Sequence, residues 1–333
     1  MNATLPLLRP APLAASVAPP LSSVPPLLSV IVPACNEAEA LPVFHARLTA
    51  AMAGLGESWE LIIVDDGSRD ATVAVAERLR AADPRIALLV LSRNFGKEIA
   101  ITAGLDHARG QAMVLIDADL QDPPELIPEM LDAWRTGWDM VYAERADRSS
   151  DGWLKRATSA AFYRMMRGWG PVVLPPQAGD FRLMGRNVVD ALLQLREQHR
   201  FMKGLYAWVG FRSRGIPCVR APRVAGRSKW GWWKLWNLAL EGITGFSVLP
   251  LKLASYLGLA VAGFAVIFGG QLVLRTLLFG NKVAGYPSLM AVVLFLGGVQ
   301  LITLGVIGEY LGRVFNETKR RPLYLVARFE PGG

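Results

Sequence analysis

The sequence contains few residues of the kinds that build disulfide scaffolds or zinc sites. Its 333 residues include two cysteines, Cys35 and Cys218, and three histidines without H-E-x-x-H spacing. The cysteine count excludes a disulfide scaffold and a cysteine-rich zinc site, and the histidine spacing disfavours a histidine-built one. Charged residues make up only 19% of the chain and hydrophobic residues 52%, so the chain as a whole is not intrinsically disordered.

Two common nucleotide-binding signatures are also absent. No G-x-G-x-x-G follows the first predicted strand, which disfavours a dinucleotide-binding reductase. No G-x-x-x-x-G-K-[ST] occurs, which disfavours a P-loop NTPase. The net charge is +8 at pH 7, which favours an anionic partner such as a nucleic acid, a nucleotide or an anionic membrane surface.

Two long segments in the C-terminal third carry no charge. Residues 253–274 lie between Lys252 and Arg275, and residues 283–308 end before Glu309. Each segment exceeds the roughly 20 residues that cross a bilayer core, so we expect two membrane spans. The alternative, two buried core helices, is disfavoured by this length.

The basic residues around these segments predict their orientation. The loop between them has only Arg275 and Lys282, whereas Lys and Arg are frequent before the first segment and after the second. By the positive-inside rule both ends of the hairpin, and the domain before it, should face the cytoplasm. We therefore expect six parts: a disordered Pro/Ala-rich lead (1–26), a cytoplasmic α/β domain (27–229), an interfacial helix (230–250), two spans (251–274 and 283–310) and a basic tail (311–333).

Between residues 27 and 145 short apolar runs alternate with helical patterns. The predicted strands are 28–32, 61–64, 86–91, 113–116 and 140–142. The predicted helices are 38–55, 71–82, 99–108 and 124–136. Short strands that are apolar on both faces and joined by helices are typical of a mostly parallel sheet with crossover helices.

Acidic residues follow two of these strands. Asp117 and Asp119 come directly after 113–116, at the carboxyl edge where open parallel sheets bind ligands. With Gln121 they are suited to Mg²⁺ or Mn²⁺, which would neutralise a diphosphate leaving group. Asp65 and Asp66 directly follow the predicted strand 61–64 in the same way. The alternatives are a solvated turn in the first case and a turn with a helix cap in the second.

Three short segments match one family in order and spacing. Residues 31–37 read IVPACNE, residues 64–68 read VDDGS and residues 117–121 read DADLQ. The chain resembles a family 2 glycosyltransferase of the polyprenyl-phosphate type, with the GT-A fold, over about residues 28–325. Within that family it is most similar to the bactoprenol-phosphate glucosyltransferases of O-antigen glucosylation. This closer likeness rests on the segments RNFGKE (93–98), GDFRLM (179–184), FMKG (201–204), KLWNLALEGIT (234–244) and GEYLGR (308–313).

The resemblance implies roles for individual residues. The donor nucleotide sugar would be bound by Pro33, Glu37, Asp65, Asp66, Lys97, Asp117 and Arg182. The metal would be held by Asp117, Asp119 and Gln121. The acceptor phosphate would be bound by Arg145, Lys155, Arg156 and Ser159. Catalysis would depend on Asp180 as candidate base, Asp119 and Arg200, with residues 226–229 as a loop that closes over the site. The alternatives are a solvated helix face for Lys155 and Arg156, a surface position for Arg200 and a helix cap or salt-bridge partner for Asp180.

The resemblance also implies a reaction. A cytoplasm-facing, multi-pass enzyme of the bacterial inner membrane would transfer glucose from UDP-glucose to undecaprenyl phosphate with Mg²⁺ or Mn²⁺ and invert the anomeric centre. Other donors remain alternatives, namely GDP-mannose, UDP-N-acetylglucosamine or an aminosugar nucleotide, and so does a non-catalytic membrane scaffold. A processive polysaccharide synthase is disfavoured because no Q-x-x-R-W motif is present. We expect no nucleic-acid partner, and a homo-oligomer, specifically a tetramer.

Overall fold

A computed structural model describes residues 25–145, 178–198, 200–219, 249–279 and 285–333. Most of the predicted lead, the predicted interfacial helix up to residue 248 and the loop 226–229 lie outside these residues. Three of the four residues predicted to bind the acceptor phosphate, Lys155, Arg156 and Ser159, also lie outside them, as does the side chain of Arg145.

The described residues form a three-layer α/β domain followed by two long helices. The strands are β1 (Leu28–Ala34), β2 (Trp59–Asp65), β3 (Ile86–Leu91), β4 (Ala112–Leu115), β5 (Met140–Arg145), β6 (Ala178–Gly185), β7 (Ser213–Cys218) and β8 (Val326–Glu330). The helices are α1 (Ala40–Ala53), α2 (Thr72–Ala82), α3 (Lys97–His107), α4 (Ile127–Arg135), α5 (Arg186–Gln194), α6 (Met202–Trp208), α7 (Leu249–Phe279) and α8 (Tyr286–Thr318).

The strands form one mixed sheet in the order β7-β5-β6-β4-β1-β2-β3-β8. Pairs β1–β2, β1–β4, β2–β3 and β5–β7 are parallel, whereas β3–β8, β4–β6 and β5–β6 are antiparallel. The predicted α/β fold with a mostly parallel sheet is confirmed. The sequence pattern did not indicate β6, β7 or β8, and β6 and β8 are the strands that make the sheet mixed.

The sheet is buried on both faces because its strands alternate between two cores. Val30 and Val32 of β1 point to the face covered by α1 and α4, while Ile31 points to the face covered by α3 and α5. Helix α3 lies very close to β1. A Cβ added to Gly104 would be 2.3 Å from Cγ2 of Ile31, so only glycine fits there. This contact holds the second half of α3 against the middle of β1.

Helices α7 and α8 contain two segments that are long and apolar enough to cross a membrane. These segments are Leu251–Gln271 and Phe295–Thr318, and none of the side chains that define them is buried inside the protein. Helix α8, which contains the second segment, begins at Tyr286. After α8 the chain returns to the sheet as β8, so residues 326–330 of the predicted basic tail form an edge strand against β3.

Candidate active site

Two carboxylates from neighbouring strands meet at the carboxyl edge of the sheet. Leu115 of β4 lies opposite Arg182 of β6. Because the pairing is antiparallel, this register brings Asp117, two residues beyond Leu115, towards Asp180. The β6 strand, which the sequence pattern did not indicate, is therefore what carries the candidate base to the predicted metal-binding carboxylates.

Lys97 joins these two carboxylates from the first turn of α3. Its Nζ lies 2.7 Å from Oδ2 of Asp117 and 2.9 Å from Oδ2 of Asp180. Lys203 of α6 approaches the other oxygen of Asp180 at 3.6 Å. The side chains of Lys97, Asp117 and Asp180 are each 30% to 37% exposed, so the cluster is accessible from solvent. We call Lys97, Asp117, Asp180 and Lys203 the lysine–aspartate cluster.

The two lysines determine the ionisation of Asp180. Burial alone would raise the pKa of this carboxyl, but the ammonium groups of Lys97 and Lys203 hold the pKa well below its usual range. Burial would lower the pKa of Lys97, but Asp180 and Asp117 raise it above its usual range. Lys97 and Asp180 are therefore both ionised at neutral pH. In this arrangement Asp180 is a weak proton acceptor and acts chiefly as a fixed negative charge.

Asp119 lies in the strained turn that follows Asp117. Its side chain is largely buried and its Oδ1 accepts a hydrogen bond from the backbone N–H of Gln121 at 3.1 Å. Between them, buried Leu120 has φ +59°, a left-handed conformation that is unfavourable for leucine. Such strain persists only where the surrounding structure enforces it, and it is concentrated at functional sites.

The predicted nucleoside-binding residues occupy the ends of β1 and β2. Pro33 and Ala34 pair with Val64 and Asp65, so the ends of both strands lie side by side. The N–H of Glu37 donates to Oγ1 of Thr72 at 2.8 Å, which ties the end of β1 to the start of α2.

Asp66, predicted to bind the donor, also holds a neighbouring backbone segment. Its Oδ1 accepts from the N–H of Phe95 at 2.6 Å and its Oδ2 from the N–H of Gly96 at 2.9 Å. Burial raises the pKa of Asp66, and these two hydrogen bonds oppose that rise. The carboxylate therefore holds the segment 93–96 that leads into Lys97. By contrast Oδ1 of Asp65 is buried with no hydrogen-bond partner among the described residues, so Asp65 retains an acceptor.

The two predicted arginines are buried. Arg182 is 3% exposed, donates to the carbonyl of Gly179 at 2.7 Å and stacks on the ring of Tyr206 at 3.5 Å. Arg200 is 6% exposed and donates to the carbonyl of Leu195. The surface position that was the alternative for Arg200 is therefore wrong. In the described structure both guanidinium groups lie in the protein interior.

Sequence reasoning missed two residues of this site. Lys203 approaches Asp180 at 3.6 Å, and Glu98, next to Lys97 in the chain, lies close enough to Asp180, Lys97 and Lys203 for their charges to affect the pKa of its carboxyl. Both lie in segments that carry the family resemblance, 93–98 and 201–204. Nothing in their spacing indicated contact, because helices α3 and α6 are about a hundred residues apart in the chain.

Comparison with known proteins identifies the family. The sequence model of glycosyl transferase family 2 matches residues 29–193. An uncharacterised glycosyltransferase of Synechocystis is 50% identical over 300 residues, which cover 90% of this chain and 94% of that protein. A prophage bactoprenol glucosyl transferase homolog of Escherichia coli K12 is 48% identical over 90% of this chain and 98% of its own. The bactoprenol glucosyl transferase of Shigella phage SfII is 48% identical over 92% and 99%.

The matches to these relatives cover at least 90% of this chain, and the family resemblance seen in the sequence is confirmed. The protein belongs to glycosyl transferase family 2 and is a glycosyltransferase.

Proposed function

We propose that this protein transfers glucose from UDP-glucose to undecaprenyl phosphate and inverts the anomeric centre. The observation that carries the proposal is the lysine–aspartate cluster at the sheet edge, in a chain about half identical to bactoprenol glucosyl transferases. The names of those relatives favour glucose over the alternative donor sugars.

The chemistry of the acceptor fits a site with a weak base. A lipid phosphate has a second pKa near 6, so its oxygen is already ionised at neutral pH and needs no strong proton acceptor. The low pKa of Asp180 is compatible with that demand. The harder task is to hold two anionic substrates together. Lys97 of α3 and Lys203 of α6 both lie beside Asp180, and their positive charges can offset the repulsion between the substrates. Arg145, Lys155, Arg156 and Ser159 are proposed to bind the acceptor phosphate.

Asp117 and Asp119 are suited to a divalent metal ion whose remaining ligands would come from the donor diphosphate and water. Among the described residues no group of three or more His, Cys, Asp or Glu side chains is placed to hold a metal ion. Asp117 and Asp119 with the amide of Gln121 instead match the pattern in which Mg²⁺ takes one or two carboxylates and completes its shell with substrate phosphates and water. When bound, such a metal would neutralise the diphosphate leaving group. Mg²⁺ and Mn²⁺ are both compatible with these oxygen ligands.

The two long helices are proposed to anchor the enzyme in the bacterial inner membrane with the sheet on the cytoplasmic side. Lys252 lies at the start of the first candidate segment, Arg313 lies near the end of the second, and Lys319 and Arg320 directly follow the second. This places the basic ends on one side, as the positive-inside rule requires. It also brings the carboxyl edge of the sheet to a lipid whose phosphate cannot leave the interface. A homo-oligomer remains a prediction.

A donor screen tests the proposal. Purified protein in liposomes with undecaprenyl phosphate and Mn²⁺ or Mg²⁺ is given each labelled nucleotide sugar in turn. We expect lipid-extractable label from UDP-glucose, lost with Asp119→Ala and retained with Asp132→Ala, an exposed acid on α4. Label from another donor alone would overturn the choice of sugar. The absence of label from every donor would contradict the proposed reaction.

A further inference from the structure

The chain that follows the second candidate span runs back along the catalytic domain before it forms β8. We call residues 317–324 the return segment. It begins in the last turn of α8, where the carboxylate of Glu317 accepts a hydrogen bond from the N–H of Gln198 at 2.7 Å. The side-chain amide of Gln198 donates in turn to the carbonyl of Arg321. Gln198 therefore holds the end of α8, and the residues just beyond it, at one point of the catalytic domain.

Asp106 gives the return segment a second attachment. Its Oδ2 accepts from the hydroxyl of Tyr324 at 2.8 Å. The guanidinium of Arg196 donates to both oxygens of the same carboxylate, at 2.8 Å and 2.6 Å. The side chain of Asp106 is only 16% exposed. Because a bidentate, partly buried pair of this kind has a more specific geometry than an ordinary surface ion pair, Asp106 joins Tyr324 and Arg196 in a defined arrangement.

The two attachments involve the elements that carry the lysines of the lysine–aspartate cluster. Asp106 belongs to α3, whose first residue is Lys97, and the nine positions between them correspond to about 14 Å along the helix. Gln198 precedes Lys203 of α6 by five positions. The end of α8 is therefore attached to α3 itself and to the segment that leads directly into α6. These are the two helices whose ammonium groups approach Asp180.

Without these attachments the peptide chain alone would leave the end of α8 much freedom. Residues 319–325 separate α8 from β8, and an extended chain of that length spans up to roughly 25 Å. The hydrogen bonds of Glu317 and Tyr324 remove most of this freedom, because they hold the return segment at both of its ends. They thereby set the distance between the lysine–aspartate cluster and the second candidate span.

The proposed acceptor makes that distance important for the reaction. A lipid phosphate is confined to the membrane interface, so it cannot move towards a site that lies too far from the bilayer. Misplacement of reacting groups by about 1 Å lowers rates by as much as a hundredfold. We propose that Glu317 and Tyr324 are positioning residues, which hold the lysine–aspartate cluster at a fixed height above the membrane for transfer to a lipid-borne phosphate. This inference rests on the proposed function.

Two acceptors with the same phosphate and different chains test the proposal. Undecaprenyl phosphate in liposomes is confined to the bilayer, whereas a prenyl phosphate of two isoprene units is soluble in water and reaches the site from solution. The double variant Glu317→Ala/Tyr324→Phe removes both attachments and leaves the pair of Asp106 and Arg196 in place. We expect its kcat/KM to fall by about tenfold or more with the liposomal acceptor, and to stay within about threefold of wild type with the soluble one.

A conservative variant and a control accompany the double variant. Glu317→Gln keeps a carbonyl oxygen for the N–H of Gln198 and should behave as wild type with both acceptors. Asp190→Ala changes an exposed acid of α5, 3.9 Å from Arg186, and should also leave both activities unchanged. Equal losses with the two acceptors in the double variant would overturn the proposal, because the contacts would then serve the fold alone. Unchanged activity with the liposomal acceptor would overturn it as well.

Fluorescence energy transfer to the membrane gives a readout that does not depend on turnover. A donor dye is attached to Asp132→Cys on the exposed face of α4, with Cys35 and Cys218 replaced by serine, and an acceptor dye is placed on the lipid headgroups. We expect the efficiency of energy transfer to change in the double variant and to match wild type in Glu317→Gln. Unchanged efficiency in the double variant would overturn the proposal, including the case in which wild type uses only the long acceptor.

The same measurement separates this inference from the proposed function. If wild type glucosylates neither acceptor, the proposed function fails. A changed efficiency of energy transfer in the double variant would then leave the attachment of α8 to the catalytic domain standing, and an unchanged efficiency would overturn that too.

Discussion

Asp66 shows how far a single residue can be predicted and where prediction stops. The sequence places two adjacent carboxylates at the end of a buried strand, and the structure confirms that both lie there. Which groups they bind depends on the segment 93–96, which crosses from β3 and offers two amides to Asp66. A strand pattern predicts the position of a carboxylate but not the atoms that approach it from another part of the chain.

Replacement of Asp66 tests this positional role. Asp66→Ala leaves the N–H groups of Phe95 and Gly96 without their acceptor, at a cost of about 1–3 kcal/mol in the free energy of unfolding. Since these residues lead into Lys97, we expect kcat to fall by about tenfold or more. Thermal unfolding and steady-state kinetics measure the two effects. Wild-type kcat in Asp66→Ala would show that the segment 93–96 keeps its place without the carboxylate.

Gly67 gives a second residue-level test, in the turn directly after Asp66. It has φ +65°, and a Cβ there would lie 2.5 Å from the backbone N of Asn94. Gly67→Ala must therefore displace backbone, and we expect at least about 1–3 kcal/mol of destabilisation. Gly54 is the matched control, because a Cβ there meets nothing within 4 Å. Chemical denaturation of both variants measures the difference, and equal stability would refute the close approach of residues 67 and 94.

The ionisation of Glu98 predicts a pH dependence of stability. Its pKa is raised from 4.5 to about 7, first by burial and then by the charge of Asp180. The folded protein thus binds this proton more tightly than the unfolded chain, so the contribution is full below about pH 4.5 and is lost as the pH rises through about 7. Glu98→Gln removes the titration. Its melting temperature relative to wild type should be higher at pH 8 than at pH 5; the opposite trend, or none, would contradict the assignment.

Among the secondary-structure elements, those with apolar runs were predictable and the others were not. Strands β1 to β5 and helices α1 to α4 were predicted close to their observed bounds because their buried faces are largely apolar. Strand β7 reads SRGIPC and lies at the edge of the sheet, where proline and exposed polar residues are tolerated. Strand β8 forms the opposite edge and pairs with a strand about 240 residues earlier. Neither position leaves a periodic signal in the local sequence.

Removal of β8 tests its contribution to the sheet. Besides pairing with β3, this segment places Glu330 3.0 Å from Arg80, and the N–H of Gly333 donates to the carbonyl of Pro84. Truncation after residue 325 exposes the edge of β3, and we expect the melting temperature to fall by roughly 3 °C or more. Arg328→Ala is the control, because it removes only exposed ion pairs, which contribute about 0–1 kcal/mol. Equal melting temperatures for the truncated and full-length proteins would show that β8 adds no stability.

The whole molecule joins a catalytic sheet to two helices with exposed apolar surfaces, and the sequence predicted this division from the distribution of charge alone. It could not predict that the chain after α8 returns to the sheet. The contacts of that return include the hydroxyl of Tyr324, which donates to Asp106 at 2.8 Å, and Glu317, which accepts from the N–H of Gln198 at 2.7 Å. The end of the second candidate span is therefore tied to α3 and to the loop before α6.

Membrane orientation is tested by cysteine labelling in a background in which Cys35 and Cys218 are serine. Gly285 precedes α8 and Lys319 follows it, so a cysteine at each reports opposite ends of the helix. We expect Gly285→Cys to react with an impermeant maleimide added to intact spheroplasts, and Lys319→Cys to react only after lysis. The reverse pattern would place the catalytic sheet outside the cytoplasm.

The most direct test compares wild type with Asp180→Asn for formation of undecaprenyl phosphate glucose, measured by mass spectrometry of the lipid extract. The side chain keeps its size and loses the charge that Lys97 and Lys203 surround. We predict product from UDP-glucose with the wild type and a loss of about a hundredfold or more with the variant. No product with the wild type, or equal product with both, would contradict the assignment of the lysine–aspartate cluster as the centre of glucosyl transfer.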